Sequence, residues 1–305
     1  MTIARAGKTQ EVELKMRVFG AYGATAPFGC AKSKLIFDDA CKVLAEEPLK
    51  HGIMGSISAL ALLSTGNVEY LPKVREFAHK MRPVTLKLEL RDGSTVWDWG
   101  YRNLFLNEYF LATGDKEVLH AIGEYTLTLA KGQSLYGTFG HGISRLTAEG
   151  KLHGSIPPYG PVNEAGLTGN LAIVMGKKCG VNDPEVDAAI ARAAVFFGYF
   201  VDKGSIPYGE HEPFPYHENN GKASMSALLF SLQGRVREAQ FFAKMAVAGF
   251  RNRECGHTGQ GFRPRWKKSR GPPSRARLLF SRFARPAVCG SLGKLRESPF
   301  PARIR

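Results

Sequence analysis

No CxxC pair occurs in this chain, and its five cysteines, Cys30, Cys41, Cys179, Cys255 and Cys289, are scattered and odd in number. That pattern excludes a disulfide framework and a zinc ribbon. No uninterrupted apolar run approaches the roughly 18 residues that span a bilayer, and the opening MTIARAGKTQEVELKM has no apolar core of the kind a secretory signal requires. The chain as written is therefore expected to be unexported and to make no membrane contact; if translation begins upstream of Met1, the compartment stays open. Also missing are a GxSxG nucleophile elbow, a GxxxxGK[ST] phosphate loop, an HExxH pair and a strand–GxGxxG–helix unit. Esterase-type and nucleotide chemistry lose their usual carriers.

What is present is hydrophobic enough, at 44% of 305 residues against 23% charged, to bury one sizeable core or two smaller ones. The formal charge of +15 is very unevenly spread. Arg263 to Arg305 holds 13 Lys and Arg against the single acid Glu297, which leaves 29 basic and 26 acidic residues before it. The body, at about +3, is not expected to bind nucleic acid. The tail carries prolines at 264, 272, 273, 286, 299 and 301 and follows no helical or strand period. Its Arg, Pro, Gly and Ala content is that of GC-rich coding DNA read out of frame, so residues 263–305 are expected to be disordered or out of frame. A basic arm for phosphate backbones is the competing reading.

Before the tail a pattern repeats four times: an apolar helix, a short turn with glycine, and a more charged amphipathic helix. GIMGSISALALLS precedes TGN at 65–67 and VEYLPKVREFAHKM, and VWDWGYRNLFLNEYFLA precedes TGD at 113–115 and KEVLHAIGEYTLTLAKG. EAGLTGNLAIVMGKK precedes CGVND at 179–183 and a helix opening at Pro184, and KASMSALLFSL precedes QG at 233–234 and RVREAQFFAKMAVAGF. Gly66, Gly114, Gly180 and Gly234 stand where a helix ends and positive φ costs least. The first helix of each pair, apolar nearly all round, reads as an inner layer and the charged second helix as an outer one. The fold expected is mainly α, a helical-hairpin repeat curling into a partial α/α toroid, with a short N-terminal β remnant and an irregular C-terminal tail.

The segments WDWGYRNLFLNEYFLATGD, GTFGHG, SIPPYGPVNEAGL, KGSIPYGEHEPF, HENNGK and GHTGQGF resemble those of an uncharacterised bacterial family, a domain of unknown function. In that family a PDZ domain precedes a helical toroid of terpenoid-cyclase-like architecture. The resemblance runs from about Ile3 to Phe262. It implies that residues 1–20, whose alternating IARAGKTQEVELKMRV reads as a strand hairpin turning at Gly7-Lys8, are the last strands of a PDZ-like domain, and that 21–262 form the toroid. A peptide-binding PDZ loop would lie upstream of Met1, and terpenoid cyclisation would require an Asp-rich run that this chain lacks.

In a hairpin stack every loop linking one pair to the next emerges at the same end, opposite the short turns. These loops are Arg82–Val96, Gly132–Asn163, Gly204–Gly221 and Arg251–Phe262. They hold five of the eight histidines, His141, His153, His211, His217 and His257. Histidines and tyrosines in such loops commonly serve only as hydrogen-bond props, and Trp97 and Tyr101, four apart, suit an ordinary helix core. The clustering favours a site. Asp98, His141, Tyr159, Glu164, Glu210, His211 and His257 are the candidate acid, base and nucleophile groups, while Trp97, Tyr101, His153, Tyr208, His217 and Asn220 are candidate ligand contacts.

Three classes fit these residue types. A glycan-active hydrolase or lyase uses paired carboxylates or a Tyr/His base beside aromatic platforms. A metal-dependent enzyme would take His211 and His217 with Cys255 or His257, without any tight ligand spacing to support it. A non-catalytic scaffold would hold a peptide or glycan at its concave end. The sequence assigns no cofactor and no oligomeric state; the partner it suggests is a small molecule or glycan.

Overall fold

A helix that ends at a residue of positive φ can reverse within a few residues, and the four turns read from the sequence do so. Gly66, Gly114, Gly180 and Gly234 have φ of 66°, 70°, 101° and 72°, where a Cβ would strain the backbone. Three of the turns then start the next helix on the same cap. The side chain of Asn67 accepts the Glu69 amide, Asp115 the Glu117 amide and Asp183 the Glu185 amide, which satisfies one of the orphan donors of each helix start.

The computed structural model describes residues 2–13, 20–81, 93–156, 160–210, 212–213 and 221–255, with side chains in the last helix as far as residue 248. Among them a hairpin of β1 (Thr2–Arg5) and β2 (Lys8–Glu11) precedes nine α-helices. They are α1 (Ala31–Glu46), α2 (Ile53–Ser64), α3 (Leu71–Lys80), α4 (Thr95–Thr113), α5 (Leu119–Gly132), α6 (Asn163–Lys178), α7 (Pro184–Gly198), α8 (Lys222–Leu232) and α9 (Val236–Cys255). Short 3₁₀ turns lead into α3 and α5. The protein is mainly helical, as its sequence predicts.

The apolar helices α2, α4, α6 and α8 pack in succession, and α3, α5, α7 and α9 each lie against the inner helix of their own pair. The central helix α6 is buried at every residue from Asn163 to Gly176 except Glu164. Small residues let its neighbours approach: a Cβ on Gly100 would lie 2.8 Å from the Thr168 methyl, and one on Gly176 2.0 Å from the Thr126 hydroxyl. Polar groups in this interface are tied across it, Asn103 to Thr126 Oγ1 and both Asn103 and Asn107 to the Ala172 carbonyl. Two apolar clusters result, one running from α2 to α7 and one from α6 to α9, with Leu104 and Ile190 packed against both.

Three features depart from the sequence expectation. Helix α1, which packs on α2, lies outside the four predicted pairs. Residues 251–255 extend α9 instead of opening a loop. The β-hairpin turns at Ala6 and Gly7, both at positive φ, with Arg5 paired to Lys8, because a two-residue turn of that hand matches strand twist. No helix among the described residues is long and apolar enough to cross a membrane.

Candidate functional site

The long-loop end is built by backbone hydrogen bonds between loops and the starts of inner helices. The Val96 amide donates to the His141 carbonyl (3.1 Å), Val162 to Phe139 (2.9 Å) and Asn163 to Tyr208 (2.9 Å). The Asn163 side chain adds a bond from Nδ2 to the Pro207 carbonyl at 2.8 Å. The loop after α5 thus touches the starts of α4 and α6, and the loop after α7 touches the start of α6. Both loops lie at one end of the inner layer.

Trp97, half-buried in the first turn of α4, donates from Nε1 to Nδ1 of His141 at 2.9 Å. A ring nitrogen that accepts carries no proton, so the His141 proton lies on Nε2. Asp98, next along the helix, accepts from Arg102 Nε at 2.9 Å, the i,i+4 spacing that places two side chains on one helix face. Burial opposes the charge of Arg102, yet Tyr125 and Asp98 outweigh it and hold the guanidinium more firmly protonated. Burial also pushes the Tyr125 phenol up, with Arg102 opposing. The same oxygen, Asp98 Oδ1, lies 3.4 Å from where a Gly52 Cβ would be, which places it between the starts of α2 and α4.

The neighbouring start holds a second ion pair. Lys222, in the first turn of α8 and 1% exposed, lies 3.3 Å from Oε1 of Glu164 in the first turn of α6. A cation at a helix N-terminus opposes the helix dipole and costs further when buried, a cost that Glu164 offsets in part. Glu210 is exposed and lies over Gly160, where any Cβ would come within 3.0 Å of its carboxyl group. Gly140, beside His141, packs equally closely on the Gly160 carbonyl, so Glu210 and His141 flank one glycine-lined strip.

Among the predicted residues, Trp97, Asp98, His141, Glu164 and Glu210 therefore sit at one end, with Asp98 turned toward α2 and Glu164 toward α8. Tyr101 is half-buried one turn below Trp97, and Tyr208 packs on the first apolar cluster. His153 is held in a separate polar network against α7. Tyr159, His211, His217, Asn220 and His257 lie outside the described residues. No group of three or more metal-ligating side chains occurs among the described residues. Sequence reasoning missed Lys222 and Arg102. Their signals were present: a lysine opening an apolar helix against its dipole, and an arginine four residues after a lone aspartate.

A family described as "Domain of unknown function (DUF6288)" matches residues 33–280. The resemblance read from the sequence spans Ile3 to Phe262, so the match begins later and runs 18 residues farther. No curated protein and no solved structure matches the chain.

Proposed function

The chain belongs to the DUF6288 family, and we propose that the long-loop end of its inner helices is a glycan site, acting as a hydrolase or lyase. The observation that carries this reading is the Trp97–His141 hydrogen bond beside the Asp98–Arg102 pair. An indole at a helix start offers an apolar face for a sugar ring, and carboxylates held by cations accept hydroxyl hydrogen bonds at fixed positions. His141 contributes an N–H donor through Nε2, and Glu164 and Glu210 supply further carboxylates. Inward curvature of the hairpin stack into a partial toroid, as the family resemblance implies, would enclose this end.

A non-catalytic scaffold is the second reading, favoured because Asp98 and Glu164 each face a cation within 3.3 Å, an arrangement that suits binding as well as turnover. Ligand-observed NMR with neutral and uronate-containing oligosaccharides tests the site. Trp97→Ala and Asp98→Asn are expected to weaken binding about tenfold each. Release of reducing ends or of unsaturated sugars then distinguishes an enzyme from a scaffold. Absence of any glycan binding by the folded chain would remove the enzyme reading and leave a scaffold only for a peptide.

A further inference from the structure

Asp98 in α4 and Glu164 in α6 occupy the same place in neighbouring inner helices, the first turn at the long-loop end, and each holds its cation with one oxygen only. Asp98 Oδ1 takes Arg102 Nε at 2.9 Å, and Glu164 Oε1 takes Lys222 Nζ at 3.3 Å. Oδ2 of Asp98 and Oε2 of Glu164 have no hydrogen-bond partner among the described residues. In each pair the carboxylate is the more exposed member, at 30% against 24% for Arg102 and at 25% against 1% for Lys222. This end of the inner layer therefore presents acceptors and keeps its cations behind them.

The other polar groups nearby have the same sense. Glu210, exposed on the loop after α7, has neither a hydrogen bond nor an ion pair among the described residues, and Glu212 on the same loop is a further exposed acid. Next to Glu164 in the chain, Asn163 is 1% exposed, and its Oδ1 is an acceptor without a donor. Its Nδ2 is held by the Pro207 carbonyl at 2.8 Å, which fixes which end of the amide accepts. A buried acceptor left unmatched calls for a donor, so a neutral group repeats what the carboxylates ask for. Of the cations, Arg102 is engaged by Tyr125 as well as Asp98. Lys50, with His51 beside it, is exposed before α2, and Glu210 and Glu212 outnumber it.

We infer that this end takes non-acidic glycans and excludes uronates. A sugar hydroxyl donates to a free carboxylate oxygen, so a neutral ring finds partners at Asp98, Glu164 and Glu210 beside the indole face of Trp97. A uronate carboxylate has no proton to give. It would meet three like charges, with Arg102 and Lys222 already engaged, and repulsion of that kind sets specificity. The inference rests on the reading of this end as a glycan site, and it narrows that reading. A lyase of the eliminating kind relies on the ring carboxyl of a uronate to acidify the proton it removes, so a site that excludes uronates is one for hydrolysis or for binding alone.

Calorimetric titration of the full chain with a gluco-oligosaccharide, and with the glucuronate oligosaccharide of the same length and linkage, reads the preference. The neutral sugar is expected to bind about tenfold or more tightly at low salt, and the gap to narrow as salt screens the carboxylates. Asp98→Asn leaves Arg102 without its counter-charge, so it is expected to weaken the neutral sugar and strengthen the uronate, closing the gap about tenfold. Glu210→Gln alters an exposed position outside either ion pair and should close the gap in the same direction. A uronate that binds the unaltered chain as tightly as the neutral sugar would overturn the inference and leave the glycan reading standing. A gap unchanged in both variants would overturn it as well. If neither sugar binds the folded chain, the glycan reading itself fails and takes the inference with it.

Discussion

Asp115 accepts three hydrogen bonds at the turn between α4 and α5: the Glu117 amide at 3.1 Å, the Tyr109 hydroxyl at 2.7 Å and His79 Nε2 at 2.7 Å. The Tyr109 bond, with lesser contributions from His79 and the Glu117 amide, brings its carboxyl down to about 2, while burial pushes the Tyr109 phenol up. One side chain thus caps the helical entry of α5 and joins the end of α4 to α3. Asp115→Ala is expected to lower stability by about 1–2 kcal/mol, the worth of a cap with one buried partner left unmatched. Because the folded carboxyl sits below its ordinary value of 3.8, its contribution is present above about pH 4 and disappears as pH falls toward 2. Thermal melts of the chain and of Asp115→Asn should therefore differ by a constant amount at neutral pH and converge in acid. A difference that grows on acidification would contradict the assignment.

Helix α6 shows how glycine content positions whole elements. In α5, Gly123 has nothing within 4 Å of where a Cβ would be, whereas Gly176 in α6 would drive a Cβ to 2.0 Å from Thr126 Oγ1. Gly123→Ala is expected to stabilise by up to about 1 kcal/mol through helix propensity. Gly176→Ala gains the same propensity but forces α5 and α6 apart, so a net loss of about 1–3 kcal/mol is expected; chemical denaturation of the two variants checks both signs. Elements of this kind were legible in the sequence because hydrophobic period and turn glycines act locally. Helix α1 was not, since AKSKLIFDDACKVLAE has no glycine turn pairing it with a following charged helix. The shared end of the long loops followed from chain direction alone, which is why Trp97, Asp98, His141, Glu164 and Glu210 were found together. The partners that come from another helix, Lys222 for Glu164 and Glu185 for His153, depend on which helix lies across the interface. That is set by packing, which hydrophobic period does not encode.

At the scale of the whole molecule the dominant asymmetry is charge. The 29 basic and 26 acidic residues before Arg263 nearly balance, and many of them neutralise one another in place, as in Arg102–Asp98, Lys177–Asp187, Arg192–Glu185, Lys222–Glu164 and Arg235–Glu238. A helical body whose acids nearly match its bases in number presents little net positive charge to a phosphate backbone. Arg263 to Arg305 has 13 basic residues and one acid, so nucleic-acid binding by the full chain, where it occurs, is expected to come from this segment and to fall steeply with salt. The family match divides the segment, since seven of those basic residues and no acid lie between Arg263 and Phe280. Chains ending at Phe262, at Phe280 and at Arg305 therefore separate the contributions. Fluorescence anisotropy with a short duplex at two salt concentrations should give binding that is absent for the first, partial for the second and strongest for the third, with a salt slope that steepens in that order. Salt-sensitive binding that persists in the chain ending at Phe262 would instead locate an unbalanced basic face on the helical body.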